Sequence, residues 1–125
     1  VVQDILYVSG QWPIKNDGSF ITGKVGSDLD KEAGKQAARQ VALTMLSTIN
    51  SHYGEIDKIK KLVKVFGMVN ATPEFLDHPF VINGFSELMV DIFGSENGIG
   101  VRSAVGMNLP RNIAVEIEAQ FELYN

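Results

Sequence analysis

The chain has 125 residues, 45% of them hydrophobic and 21% charged, with a formal net charge of −4 and no cysteine. That length and apolar content support one domain over residues 1–125 and exclude disorder, and the lack of cysteine excludes disulfides, thiolate catalysis and cysteine-based metal sites. The acidic balance argues against a nucleic-acid groove, which needs a basic stripe, and with no apolar run of membrane-spanning length and no signal segment the expected compartment is the cytoplasm.

The stretch DILYVSGQWP predicts a strand: Ile5, Leu6, Tyr7 and Val8 are β-formers, and Gly10 and Pro13 end them. NDGSFITG predicts a hairpin, with its turn at Asp17-Gly18 and a short second strand through Phe20 and Ile21. Residues 27–54 predict a helix. Ser27 or Asp28 is its expected N-cap, and Ala38, Val41, Ala42, Met45, Leu46, Ile49 and Tyr53 form its apolar stripe, with Gly54 closing it.

EIDKIKKLVKVFGMVN predicts a long strand with Lys60, Leu62, Lys64, Phe66 and Met68 on one face and Lys61, Val63, Val65 and Val69 on the other. Thr72-Pro73 ends it. A second helix follows, with the stripe Val81, Phe85, Leu88, Met89 and Ile92 and a stop at Gly94. SENGIG is expected as a loop. Strands over 100–108 and 113–123 then form a hairpin around the Pro110-Arg111-Asn112 turn.

The expected order is ββαβαββ, an α+β arrangement with a mixed or antiparallel sheet and both helices on one face. In the last strand Val115, Ile117, Ala119, Phe121 and Leu123 point to the helices, while Glu116, Glu118, Gln120 and Glu122 point away. A half-apolar sheet face that no helix covers predicts contact with another subunit, hence a homo-oligomer.

Neither His52 nor His78 has the partners at spacing that a metal needs, so no metal site is expected and both are assigned to the surface or to helix ends. There is no G-x-S-x-G elbow, and GSENGIG lacks the phosphate-loop pattern. Arg102 differs. An arginine at the head of a strand, after a glycine-rich loop, can hold a carboxylate in a bidentate fork, although a surface ion pair explains it equally well. On a hairpin, Arg102 and Glu116 lie towards the same open end. An arginine that clamps an acid beside a glutamate that positions water makes a plausible hydrolytic pair.

YVSGQWP, VKVFGMVN, VING and above all RSAVGMNLPRNIAVEIEA together resemble the YjgF/YER057c/UK114 family, the reactive intermediate deaminase A (RidA) proteins, over nearly the whole chain. The resemblance implies a chorismate-mutase-like fold and a homotrimer whose sheets form a central barrel, with ligand clefts between subunits. It implies hydrolysis of 2-imino or enamine acids to 2-oxo acids and ammonia, without a cofactor. The family's carboxylate-clamping arginine falls on Arg102 and its water-positioning glutamate on Glu116. Its Ser-Gly-Gln glycine falls on Gly10, and the asparagine beside the cleft on Asn83. The residue two after the arginine, cysteine in many members, is Ala104 here and contributes backbone groups. Trp12, beside the Ser-Gly-Gln motif, is placed to narrow the pocket, with core or interface packing as its commoner fate. The tyrosine that closes the cleft in active members lies upstream of the first strand, and no residue here aligns with it. Two other functions compete: a trimer that binds small carboxylates without turnover, and an RNA-cleaving or translation-inhibiting protein, against which the net charge counts.

Overall fold

The computed structural model describes residues 1–125. The elements run β1 (Ile5–Gln11), α1 (Lys31–His52), β2 (Ile59–Val69), α2 (His78–Asn97), β3 (Val101–Gly106) and β4 (Val115–Leu123). The strands form one mixed sheet in the order β1-β4-β2-β3. β4 is antiparallel to both its neighbours, and β2 and β3 are parallel. Both helices cover the same face, as expected from the sequence, and their buried side chains join those of the sheet in one continuous core.

The expected second strand is not regular structure. Residues 12–30 carry only isolated bridges, Ile14 to Phe20, Thr22 to Ile113, and Val25 to Leu29 and to Ala71. The Asp17-Gly18 turn does form: Gly18 takes a φ of 86°, and Asp17 Oδ1 accepts from the Ser19 amide at 2.9 Å and from Ser19 Oγ at 2.6 Å. The start of the segment is held to α1, where Gln40 Nε2 donates to the Ile14 carbonyl at 2.7 Å, and its later part to the chain beyond β2, where Val25 N donates to the Asn70 carbonyl at 2.8 Å. Pro13, without an N–H, also cannot continue a ladder. The order is therefore βαβαββ.

The C-terminal hairpin is also absent. β4 lies between β1 and β2, while β3 pairs only with β2 and forms an edge. Alternating burial explains the choice. Val115, Ile117, Ala119, Phe121 and Leu123 are all buried under the helices, so β4 gains most from a central place paired on both sides. β3 is short and largely exposed. The segment between them crosses the end of β2: Met107 N donates to the Val69 carbonyl and Asn70 N to the Ala114 carbonyl, each at 2.9 Å. Left-handed Arg111 and Asn112 make the reversal.

Two irregularities in the β2–β4 pairing alter the face assignment of β2. Lys64, Phe66 and Met68 face away from the helices, but Leu62 turns into the core beside Val65. A strict period of two fails where a bulge adds a residue.

α1 starts later than the sequence suggests. Asp30 is its N-cap, accepting from the Ala33 amide at 2.8 Å, and Asp28 instead accepts from the Lys24 amide within the preceding turn. Its stripe is buried as expected from Ala38 to Ile49, with Tyr53 outside it. In α2, Ile92 is exposed and Ile82 takes its place in the core. Gly94 does break the helix (φ 84°, ψ 168°), and one further turn follows it. At Gly84 the helices cross so closely that a Cβ there would strike the Lys35 carbonyl of α1.

Candidate functional site

Register places every candidate strand residue on a face. Val8, Ala119, Val65 and Arg102 are aligned across the four strands, and the first three are buried beneath the helices. Arg102 is thus the outermost member of a helix-facing row. In-register neighbours share a face. Glu116, Met68 and Val105 make a row on the opposite, uncovered face. The two candidate catalytic residues do not meet within one chain, contrary to the hairpin expectation.

Arg102 opens into a cleft of about 540 Å³ between α2 and the edge of the sheet. Its floor is Leu62 and Val65, and α2 supplies Asn83, Ser86 and Asp91. Arg102 Nη1 donates to Ser86 Oγ at 3.1 Å, and Nη2 lies 3.5 Å from the Pro79 carbonyl, at the limit of a hydrogen bond. No carboxylate pairs with this guanidinium, because the three ion pairs of the chain are Lys31–Asp77, Lys35–Glu87 and Lys60–Glu122. An exposed cation with spare donors, in a cleft with an apolar floor and a polar wall, is suited to a planar anion. Ala104 follows on β3 opposite Gly67, half-buried against the core.

Glu116 and Gly10 meet on the uncovered face. β1 bulges between Val8 and Gln11, which brings Gly10 against the Glu116 side chain; a Cβ at Gly10 would overlap Glu116 Oε2. Only glycine leaves that carboxylate its place. Beside this pair the same face carries a shallow hollow of about 560 Å³, lined by Tyr7, Ser9, Lys64, Phe66, Ser103 and Glu118 among others. Trp12 lines neither hollow. It stacks edge-to-face on Phe20, with ring centroids 5.2 Å apart, and so serves loop packing.

The candidates therefore fall into two groups: Arg102, Asn83 and Ala104 at one edge of the sheet, and Gly10 and Glu116 on its uncovered face towards the opposite edge. Sequence inspection passed over Ser86 and Asp91. The spacing of Asn83, Ser86, Glu87, Val90 and Asp91 (i, i+3, i+4, i+7, i+8) marks one helix face, and reading α2 only for its apolar stripe hides it. His52 and His78 end and begin helices, and no group of acidic and histidine residues is arranged to hold a metal. No helix is long and apolar enough to cross a membrane.

A model of the family described as "YjgF/chorismate mutase-like, putative endoribonuclease" matches residues 1–114. Protein TCP17 of Trypanosoma cruzi is 40% identical over 121 residues, covering 96% of this chain and 76% of that protein. The crystal structure of the protein Atu1372 of Agrobacterium tumefaciens, whose function is unknown, superposes with a TM-score of 0.94 at 38% identity over 99% of this chain and 81% of that one. A "putative endoribonuclease" of Shewanella oneidensis MR-1 gives a TM-score of 0.92 at 27% identity, over 98% and 82%.

Proposed function

Because the chain belongs to the YjgF/chorismate mutase-like family, we propose that it hydrolyses reactive 2-imino or enamine acids to 2-oxo acids and ammonia, in a cleft shared between copies of the chain. The observation that carries this is the free guanidinium of Arg102, which faces a cleft of mixed polar and apolar lining and makes its shorter hydrogen bond to Ser86 and none to a carboxylate. Arg102 anchors the substrate carboxylate bidentately, with Asn83 beside it and the backbone at Ala104 orienting the imine nitrogen.

Glu116 acts from a second copy. Within one chain it lies on the wrong face to reach Arg102, but β1 and β3 are the two edges of the sheet, and edges in a ring of copies meet. β3 of one copy then lies beside β1 of the next, Arg102 reaches round that seam towards Gly10 and Glu116, and a homotrimer closes the ring with the uncovered sheet faces inward. Glu116 accepts a proton from the water that adds to the C=N carbon and returns it to the nitrogen; it then takes the hydroxyl proton and passes it to the same nitrogen, so that the C–N bond breaks, ammonia leaves and the 2-oxo acid remains. Exclusion of bulk water at such a seam strengthens each polar contact. No cofactor enters this chemistry, and the cytoplasm, where pyridoxal-phosphate enzymes release such imines, is the compartment it fits.

The test is a coupled assay in which an amino-acid oxidase generates the imine and 2-oxo acid release is followed with and without the protein. Acceleration that disappears in Arg102→Ala is expected; equal rates with and without the protein for every imine would leave carboxylate binding without turnover. The separation of Arg102 from Glu116 in one chain favours that binding-only alternative should the protein prove monomeric. RNA cleavage, the activity in the family's description, is disfavoured by the net charge of −4.

A further inference from the structure

Asp91 has no task in the chemistry above, yet it lines the Arg102 cleft. Its neighbour on the same helix face, Glu87, is neutralised by Lys35 at 3.1 Å, whereas Asp91 joins no ion pair in the chain. The cleft thus holds one unpaired cation and one unpaired carboxylate. Along α2, Asp91 stands five residues beyond Ser86, which holds Arg102, a separation of roughly 7.5 Å at the usual helical rise. The half-buried Val90 and the exposed Ile99 supply an apolar surface in the same cleft. Cation, apolar surface and anion match a ligand with a carboxylate at one end, an aliphatic stem, and a positive group at the other.

We infer that the preferred ligand is a 2-imino or 2-oxo acid with a basic side chain of lysine or arginine type, whose charged end is received by Asp91. This rests on Arg102 as the carboxylate anchor. A merely solvated helix face would carry Asp91 equally well, but it gives no reason for an unpaired acid to share a cleft with the unpaired arginine. A basic stem also suits the walls, since its methylenes pack on apolar surface while its head stays polar.

The test is calorimetric titration of the full chain with three 2-oxo acids: 5-guanidino-2-oxopentanoate (basic), 2-oxohexanoate (neutral) and 2-oxoadipate (acidic). The basic acid is expected to bind about three- to fivefold more tightly than the neutral one, the range of a partly exposed ion pair, and the acidic one most weakly. Asp91→Asn should remove the preference while leaving 2-oxohexanoate affinity within about twofold, and D91K should turn it towards 2-oxoadipate. Asp91 is exposed on the helix surface, so both variants fold. Equal affinity for basic and neutral acids, with binding still lost in Arg102→Ala, overturns the side-chain inference and leaves the anchor standing. No binding of any of the three, or binding indifferent to Arg102→Ala, overturns both.

Discussion

Arg102 and Glu116 stand on opposite faces of one sheet, with β2 between their strands: Arg102 is aligned with Val65 on the helix side, Glu116 with Met68 on the uncovered side. Two residues so placed act on one substrate only if they come from different chains. Chains carrying Arg102→Ala and chains carrying Glu116→Gln should therefore each be inactive alone. Co-folded as mixed trimers in equal amounts they should regain about a quarter of the unmodified rate, the fraction of seams with both residues intact. No recovery from verified mixed oligomers refutes the shared site.

The fork of Arg102 should matter as well as its charge. Arg102→Ala is expected to weaken 2-oxo acid binding by about 1.5–3 kcal/mol, the worth of charge-assisted hydrogen bonds, and Arg102→Lys to recover only part of it because a point charge cannot bind bidentately. Calorimetry on both variants decides this; full recovery by lysine contradicts the forked geometry.

The close approach of α1 and α2 at Gly84 carries a stability prediction. A methyl group there meets the Lys35 backbone, which cannot swing aside as a side chain does. Gly84→Ala should lower stability by about 1–3 kcal/mol in urea unfolding, an overpacking cost that outweighs the better helix propensity of alanine.

Asn70 is the one buried polar side chain of the core, at the end of β2. Its Oδ1 accepts from Lys24 Nζ at 3.0 Å, and its Nδ2 donates to Asn112 Oδ1 at 2.9 Å and to the Gly23 carbonyl at 3.3 Å. It ties both the 12–30 segment and the β3–β4 crossing to the sheet. Asn70→Ala should cost about 1–3 kcal/mol, because the Gly23 carbonyl and the Asn112 amide lose their partner. Protection from hydrogen exchange should fall first at the Val25 amide, which donates to the Asn70 carbonyl, and at the amide of residue 70 itself, which donates to the Ala114 carbonyl.

Asp17 is the group whose titration the fold visibly moves. The Ser19 hydroxyl, then the Ser19 amide, hold its carboxyl below the ordinary aspartate value of about 3.9. A depressed folded value means that the turn gains stability above the unfolded pKa and loses it as pH falls through the folded one. NMR titration should find Asp17 below that ordinary value, and S19A should move it back up; an unchanged titration in S19A removes the hydroxyl as the main cause.

How much of this was legible beforehand follows from the range of each signal. The helices were, because their stripes repeat within a few residues. The alternation of Val115 to Leu123 correctly named the buried face of β4, and the resemblance named Arg102, Asn83, Gly10 and Glu116 as residues to find. Strand partners were not legible. A turn at Pro110 looks like a hairpin from either side, and nothing local says that β4 inserts beside β1 and leaves β3 on the edge. Nor does a local pattern reveal the β2 bulge that sends Leu62 into the core.

The sequence by itself determined the helices, the α+β class and the apolar face of β4, because these depend on periodicity within one segment. Tertiary structure alone decided the strand order, and with it the separation of Arg102 from Glu116 and the pairing of Arg102 with Ser86. Those depend on which distant segments bury the most apolar surface together, a competition settled by the whole chain at once.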